Sequence, residues 1–83
     1  MRLDKYLKVS RLIKRRTVAN EACDGGNVLI NGKTAKASQL VKTGDIVEIR
    51  FGQRTVKIEV TEISEHVRKE DASAMYREVI ENE

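Results

Sequence analysis

The chain has one cysteine, one histidine, three aromatic residues (Tyr6, Phe51 and Tyr76) and no long apolar run. Each shortage removes a class of function. With Cys23 alone, no intramolecular disulfide forms, and a cytoplasmic setting is expected. With His66 as the sole histidine, a zinc site of three or four Cys and His ligands is excluded. The longest apolar stretches, such as Val28-Leu29-Ile30, are far too short to span a bilayer. So few aromatics leave no stacking platform for single-stranded nucleic acid. No glycine-rich phosphate loop occurs, because Gly25-Gly26 closes a helix instead of opening one. Neither a cofactor nor catalysis is expected.

Charge, by contrast, is abundant and unevenly placed. Of 83 residues, 35% are charged, with a net charge of +3. Residues 1–16 hold seven of the basic residues (Arg2, Lys5, Lys8, Arg11, Lys14, Arg15, Arg16) against the single acid Asp4. Residues 58–83 reverse the balance, with three bases and eight acids. A segment that interleaves cations with Leu3, Tyr6, Leu7, Leu12 and Ile13 must fold while displaying its charge. It is therefore read as a surface for a polyanion. Arginine adds planar, two-pronged phosphate contacts that lysine lacks. Asp4 is expected to orient Arg2, Lys8 or Arg16 by a salt bridge, or to cap the first helix.

The hydrophobic pattern gives an α+β domain. Leu3, Tyr6, Leu7 and Val9 or Ser10 follow helical spacing. Thr17 is read as the N-cap of a second helix, Glu21 as lying early in it, and Val18, Ala19, Ala22 and Cys23 as its small packing face. Asp24-Gly25-Gly26 ends it. Asn31-Gly32 is a strong hairpin signal after Val28–Ile30, with the partner near Lys33 to Ala37. Val47, Ile49 and Phe51, then Val56, Ile58 and Val60, alternate with polar residues as half-buried strands do. Ala72, Met75, Tyr76, Val79 and Ile80 recur at helical spacing and predict a helix. The expected architecture is two N-terminal helices packed on a small, mostly antiparallel sheet, with a C-terminal helix. No long recognition helix for a DNA major groove is evident, which favours shape and phosphate recognition of folded RNA.

The set Met1-Arg2-Leu3-Asp4-Lys5-Tyr6-Leu7, Arg15-Arg16-Thr17, Gly26–Lys33 and Lys42-Thr43-Gly44-Asp45 resembles the S4-type RNA-binding domain. That module, the alpha-L RNA-binding motif, is named for the fourth protein of the small ribosomal subunit. The resemblance covers about residues 1–60. Over nearly the whole chain, the segment from Met1 to Glu21 and Ile49-Arg50-Phe51-Gly52-Gln53 are most similar to stand-alone members serving bacterial ribosome-associated quality control.

This likeness implies residues 1–65 as the RNA-binding domain and residues 66–83 as an acidic C-terminal helix packed on it. It implies large-subunit ribosomal RNA and P-site peptidyl-tRNA as partners, beside an RqcH-type factor, in template-free alanine tailing of stalled chains. A monomer is expected. The RNA-contact residues implied are Arg2, Lys5, Arg11, Arg15 and Arg16, then Lys8, Lys14 and Lys33, with Asp4 and Thr17 holding geometry. The competing readings are a general ribosome- or tRNA-binding factor, such as a heat-shock-like recycling or assembly protein, and a protein-interaction module.

Overall fold

The computed structural model describes residues 1–80. Two short helices, α1 (Leu3–Val9) and α2 (Arg16–Asp24), precede five strands. These are β1 (Val28–Ile30), β2 (Lys33–Thr34), β3 (Ile46–Phe51), β4 (Arg54–Val60) and β5 (Tyr76–Glu78), with a 3-10 helix at Lys69–Met75. The strands form one antiparallel sheet in the order β2-β1-β3-β4-β5. The expected α+β class, with helices packed on a small antiparallel sheet, is borne out.

Register explains which residues face the helices. Val28 pairs with Ile49, Ile30 with Val47, and Val47 with Ile58. Because strand side chains alternate, these residues and Val60 turn together into one core with Leu3, Tyr6, Leu7, Ala19 and Cys23. The opposite set is polar and internally paired. Glu48 lies across from Lys57, at 3.8 Å, and Arg77 donates a hydrogen bond to the Glu59 carboxylate across from it.

The turns take the geometry that their residues favour. Asn31 and Gly32 both have positive φ (51° and 84°), as a two-residue hairpin turn between β1 and β2 requires. The Asn31 side chain donates to Asp45, and its own oxygen accepts the Ile46 N–H. Asp45 also accepts the Lys42 N–H, so one buried carboxylate ties both turns together.

Helix α1 begins against the segment after β2. The Leu3 and Asp4 N–H groups donate to the Gln39 and Ala37 carbonyls, and the Lys5 N–H donates to the Asp4 side chain. Backbone donors that a helix start leaves free are thereby satisfied, without a side-chain cap at Arg2. Cys23, 1% exposed, is a small core residue; burial, then the charges of Asp4 and Asp24, push its thiol up to about 11. It is therefore a protonated packing group at neutral pH.

Four local expectations are corrected. Thr17 is not the N-cap of α2: the helix starts at Arg16, Arg15 holds the extended cap position, and Thr17 is exposed within the first turn. Glu21 lies in the second half of that helix, beyond the first turn where its charge would favour the dipole. Val18 and Phe51 are 47% and 43% exposed, outside the core. The stripe from Ala72 to Ile80 is not one α-helix. Ala72 and Met75 are buried from a 3-10 turn, and Tyr76–Glu78 then extends to pair with β4. An edge strand with free backbone groups outcompetes a short isolated helix, since each paired residue also joins the existing sheet. The part of the expected helix beyond residue 80 lies outside the described residues.

Tyr6 fastens this C-terminal segment to α1. Its ring is fully buried, and its hydroxyl donates to the Met75 carbonyl at 2.8 Å. Burial, with the nearby Tyr76, holds its phenol well above the ordinary range. Tyr6→Phe removes that hydrogen bond, leaving the carbonyl to the Thr61 and Glu62 N–H groups, and should cost about 1 kcal/mol. The expected result is a melting temperature lower by roughly 4–8 °C and faster amide exchange at residues 72–78. Unchanged melting and exchange would contradict the fastening.

Candidate nucleic-acid interface

Asp4 is the only acid among the first sixteen residues, and it is 2% exposed. It accepts from Arg2 Nε and Nη2 at 3.2 and 3.3 Å, from Arg16 Nη2 at 3.5 Å and from Asn20 Nδ2 at 3.2 Å. Burial alone would raise its pKa. Hydrogen bonds from Asn20, the Lys5 N–H and Arg16, with the Arg16 charge, outweigh that and hold it below the ordinary carboxylate value. One carboxylate thus joins the start of α1 to the start and middle of α2.

The arrangement presents cations instead of hiding them. Arg2 and Arg16 each keep 47% of their side chain exposed, against 3% for Asp4. Each guanidinium has five N–H donors, so anchoring one or two leaves the rest free for an external anion. The expected orienting role of Asp4 is met by Arg2 and Arg16, whereas Lys8 makes no ion pair with it. The accompanying alternative, capping, is met only through the Lys5 N–H, within the helix.

The remaining cations separate by position. Lys8, Arg11 and Lys14 come together on the rim of one cleft. Arg15 is exposed at the cap position of α2 and has no ion pair among the described residues. Lys5 is half-buried, with its ammonium 3.4 Å from Glu65, so part of its charge is already answered. Lys33 stands on β2, at the opposite edge of the sheet from β5. No ion pair or hydrogen bond among the described residues joins it to the helical cations.

Arg11 carries a second signal. It sits just past the end of α1 with φ 63°, where glycine is the usual residue. Its N–H donates to the Lys8 carbonyl, and the Ile13 N–H returns to the Leu7 carbonyl, which buries Ile13 and points the connector toward α2. A left-handed arginine costs about 1–2 kcal/mol relative to ordinary backbone. Such a cost persists where the surrounding structure enforces it, as these two hydrogen bonds do, and strained positions of this kind cluster at functional sites. Two further cations, Arg68 and Lys69, line the same cleft and were missed by sequence reasoning. Their signal was a basic pair within the otherwise acidic run from Glu65 to Asp71.

A cation-bearing helical face, braced from beneath by a buried acid and seated on a small sheet, defines a compact RNA-binding domain. Residues 1–47 match the S4 domain model. The chain is 59% identical to the RQC P-site tRNA stabilizing factor of Halalkalibacterium halodurans over 76 residues, 92% of this chain and 86% of that protein. It is 57% identical to the Bacillus subtilis protein of the same name, covering 92% and 88%. The solved structure of Vibrio cholerae Heat Shock Protein 15, described as trimeric, superposes with a TM-score of 0.88 at 36% identity, covering 95% of this chain and 81% of that one. The chain belongs to the S4 domain family, on the branch of the RQC P-site tRNA stabilizing factors.

Two substitutions test the interface. Asp4→Asn raises the net charge yet releases both arginines. RNA affinity should fall, with a stability loss of about 1.5–3 kcal/mol, as for hydrogen bonds to a charged group. The wild-type contribution of Asp4 is present above roughly pH 4, the unfolded value, and is lost as pH falls through its lowered folded pKa. Tighter RNA binding by Asp4→Asn in filter or anisotropy titrations would show that bulk charge, not the brace, governs affinity. Arg11→Gly should do the reverse to stability: melting rises by several degrees, for a gain of about 1 kcal/mol, while RNA binding weakens. A melting point that falls would refute the reading of Arg11.

Proposed function

We propose that this chain is a non-catalytic RNA-binding protein that stabilises P-site tRNA on obstructed large ribosomal subunits. In this reading it binds large-subunit ribosomal RNA and P-site peptidyl-tRNA together, in the cytoplasm and as a single copy. Beside an RqcH-type factor, it supports template-free C-terminal alanine tailing of stalled nascent chains. The protein works by grip and position. Folded RNA offers closely spaced phosphates, and a preset cationic face meets them without first ordering long side chains.

The observation that carries the proposal is the Asp4 brace, which fixes Arg2 and Arg16 while leaving half of each exposed. The names of the relatives at 57–59% identity point the same way. Arg2, Arg11, Arg15 and Arg16 are assigned to RNA contact, with Lys8 and Lys14 beside them. Lys5, paired with Glu65, and Lys33, on the far edge of the sheet, contribute less. Residues 1–65 act as the RNA-binding domain, and the segment after them completes its sheet. A second reading, heat-shock-like subunit recycling or assembly, draws on the likeness to Heat Shock Protein 15. The higher identity to the stabilizing factors favours the first reading.

The test is purification of the tagged protein from bacterial cells at mild salt, with identification of the bound RNA and protein. Large subunits carrying peptidyl-tRNA, with an RqcH-type factor, are expected; protein partners without ribosomal RNA or tRNA would overturn the proposal. The Arg2→Ala/Arg16→Ala double variant should lose co-sedimentation with large subunits and show a salt slope shallower by about two. Its fold should persist, since Asp4 keeps hydrogen bonds from Asn20 and the Lys5 N–H. Co-sedimentation at the wild-type level would exclude the two arginines from the contact.

A further inference from the structure

A cleft lies between the end of α1, with its connector, and the stretch from Glu65 to Lys69, where the 3-10 helix begins. Lys8, Arg11 and Lys14 form one wall, and His66, Arg68 and Lys69 the other, around about 770 Å³ of space open to solvent. Val9 and Val67, both packed on the core, contribute the apolar part of the lining. Five Lys and Arg side chains therefore meet here, three of them from the basic N-terminal segment and two from the acidic C-terminal one.

Three features mark the cleft as a site lined by available cations. None of those five side chains has an ion pair among the described residues, so their charge is unanswered within the fold. The one carboxylate in the lining, Glu65, is held by Lys5 at 3.4 Å, which limits its effect on the incoming anion. Both walls are also tied down. The Lys5–Glu65 pair and the Tyr6–Met75 hydrogen bond fix the C-terminal segment against α1, and Arg11 is held left-handed on the other side.

We propose that this cleft holds a run of RNA sugar–phosphate backbone, with Arg68 and Lys69 as phosphate contacts supplied by the C-terminal segment. The inference rests on the RNA-binding function proposed for the chain and extends it to residues outside the matched segment 1–47. An open, cation-walled groove suits a charged strand, whose phosphates recur every few ångströms, better than a small ligand that needs enclosure. The Asp4-braced arginines and this cleft then act as two parts of one interface, the first preset by a buried acid and the second by chain packing.

The experiment titrates a tRNA transcript and purified bacterial large subunits with the full chain across a range of salt concentrations, comparing wild type with Arg68→Ala/Lys69→Ala. Both side chains are exposed and unpaired among the described residues, so melting should not change. Affinity for at least one of the two RNAs is expected to drop about tenfold at moderate salt, with a slope shallower by about two. The charge-conserving Arg68→Lys/Lys69→Arg should restore most of it. Wild-type affinity and slope in the alanine variant, while wild type binds RNA, would overturn the cleft alone. Failure of wild type to bind either RNA would remove the RNA-binding function as well. A polyglutamate peptide that binds more tightly than RNA, and loses binding in the same variant, would overturn the RNA assignment in favour of an acidic protein partner.

Discussion

A buried carboxylate among cations is the constraint on which this small domain depends. Asp4 gives up almost all contact with water, at a cost that is large for an isolated charge. Donors from two helices offset it: Arg2 and the Lys5 N–H from the start of α1, and Arg16 and Asn20 from α2. Removing the arginines leaves the acid with Asn20 and the Lys5 N–H as its donors, and removing the acid leaves two unanchored guanidiniums. The same carboxylate therefore serves packing and presentation. It pins α1 to α2 in a domain with few other polar ties between them, and it directs arginine donors outward.

The charge pattern shows the same division of labour. On the sheet, cations face anions across strands: Lys57 opposite Glu48, and Arg77 opposite Glu59. Those residues satisfy one another and project little net charge. On the helical side, Lys8, Arg11, Lys14 and Arg15 lack such partners among the described residues. A domain with a net charge of only +3 can thus carry a strongly basic face, because most of its acids lie on the sheet, beneath the arginines or along the C-terminal segment, with Glu21 and Asp24 further along α2. Long-range attraction of a polyanion and short-range positioning are supplied by different residues.

Packing of the C-terminal segment links these two regions. Met75 is fully buried and its carbonyl accepts the Tyr6 hydroxyl, while β5 adds to the sheet beside β4. The segment consequently runs past the end of α1, bringing Arg68 and Lys69 to the cations of the connector. Its sequence shows the burial but not the path. Ala72 and Met75 are three apart, a spacing equally suited to an α-helix and to a 3-10 turn. The available edge of β4 sets the path beyond Met75, which is why Tyr76, Arg77 and Glu78 are extended despite the helical periodicity.

Much of the rest was legible because it depends on near neighbours. The spacing of Leu3, Tyr6 and Leu7, the Gly25-Gly26 stop, the Asn31-Gly32 turn and the alternation in β3 and β4 each express local backbone preference or strand period. The density of cations in residues 1–16 likewise identifies the binding class. Thr17 misled because a good capping residue competes with the chain's route into the helix, and Arg15 already occupies the extended position. The sequence by itself determined the element order up to β4, most of the core-facing set and the polyanion-seeking character, since all three reside in composition and short-range periodicity. Only the tertiary structure decided that Asp4 joins Arg2 to Arg16 and Asn20, that Lys5 turns to Glu65, and that Arg68 and Lys69 face Arg11. These are contacts between residues distant in the chain, fixed by how the helices and the final strand pack and not by the preference of any one segment.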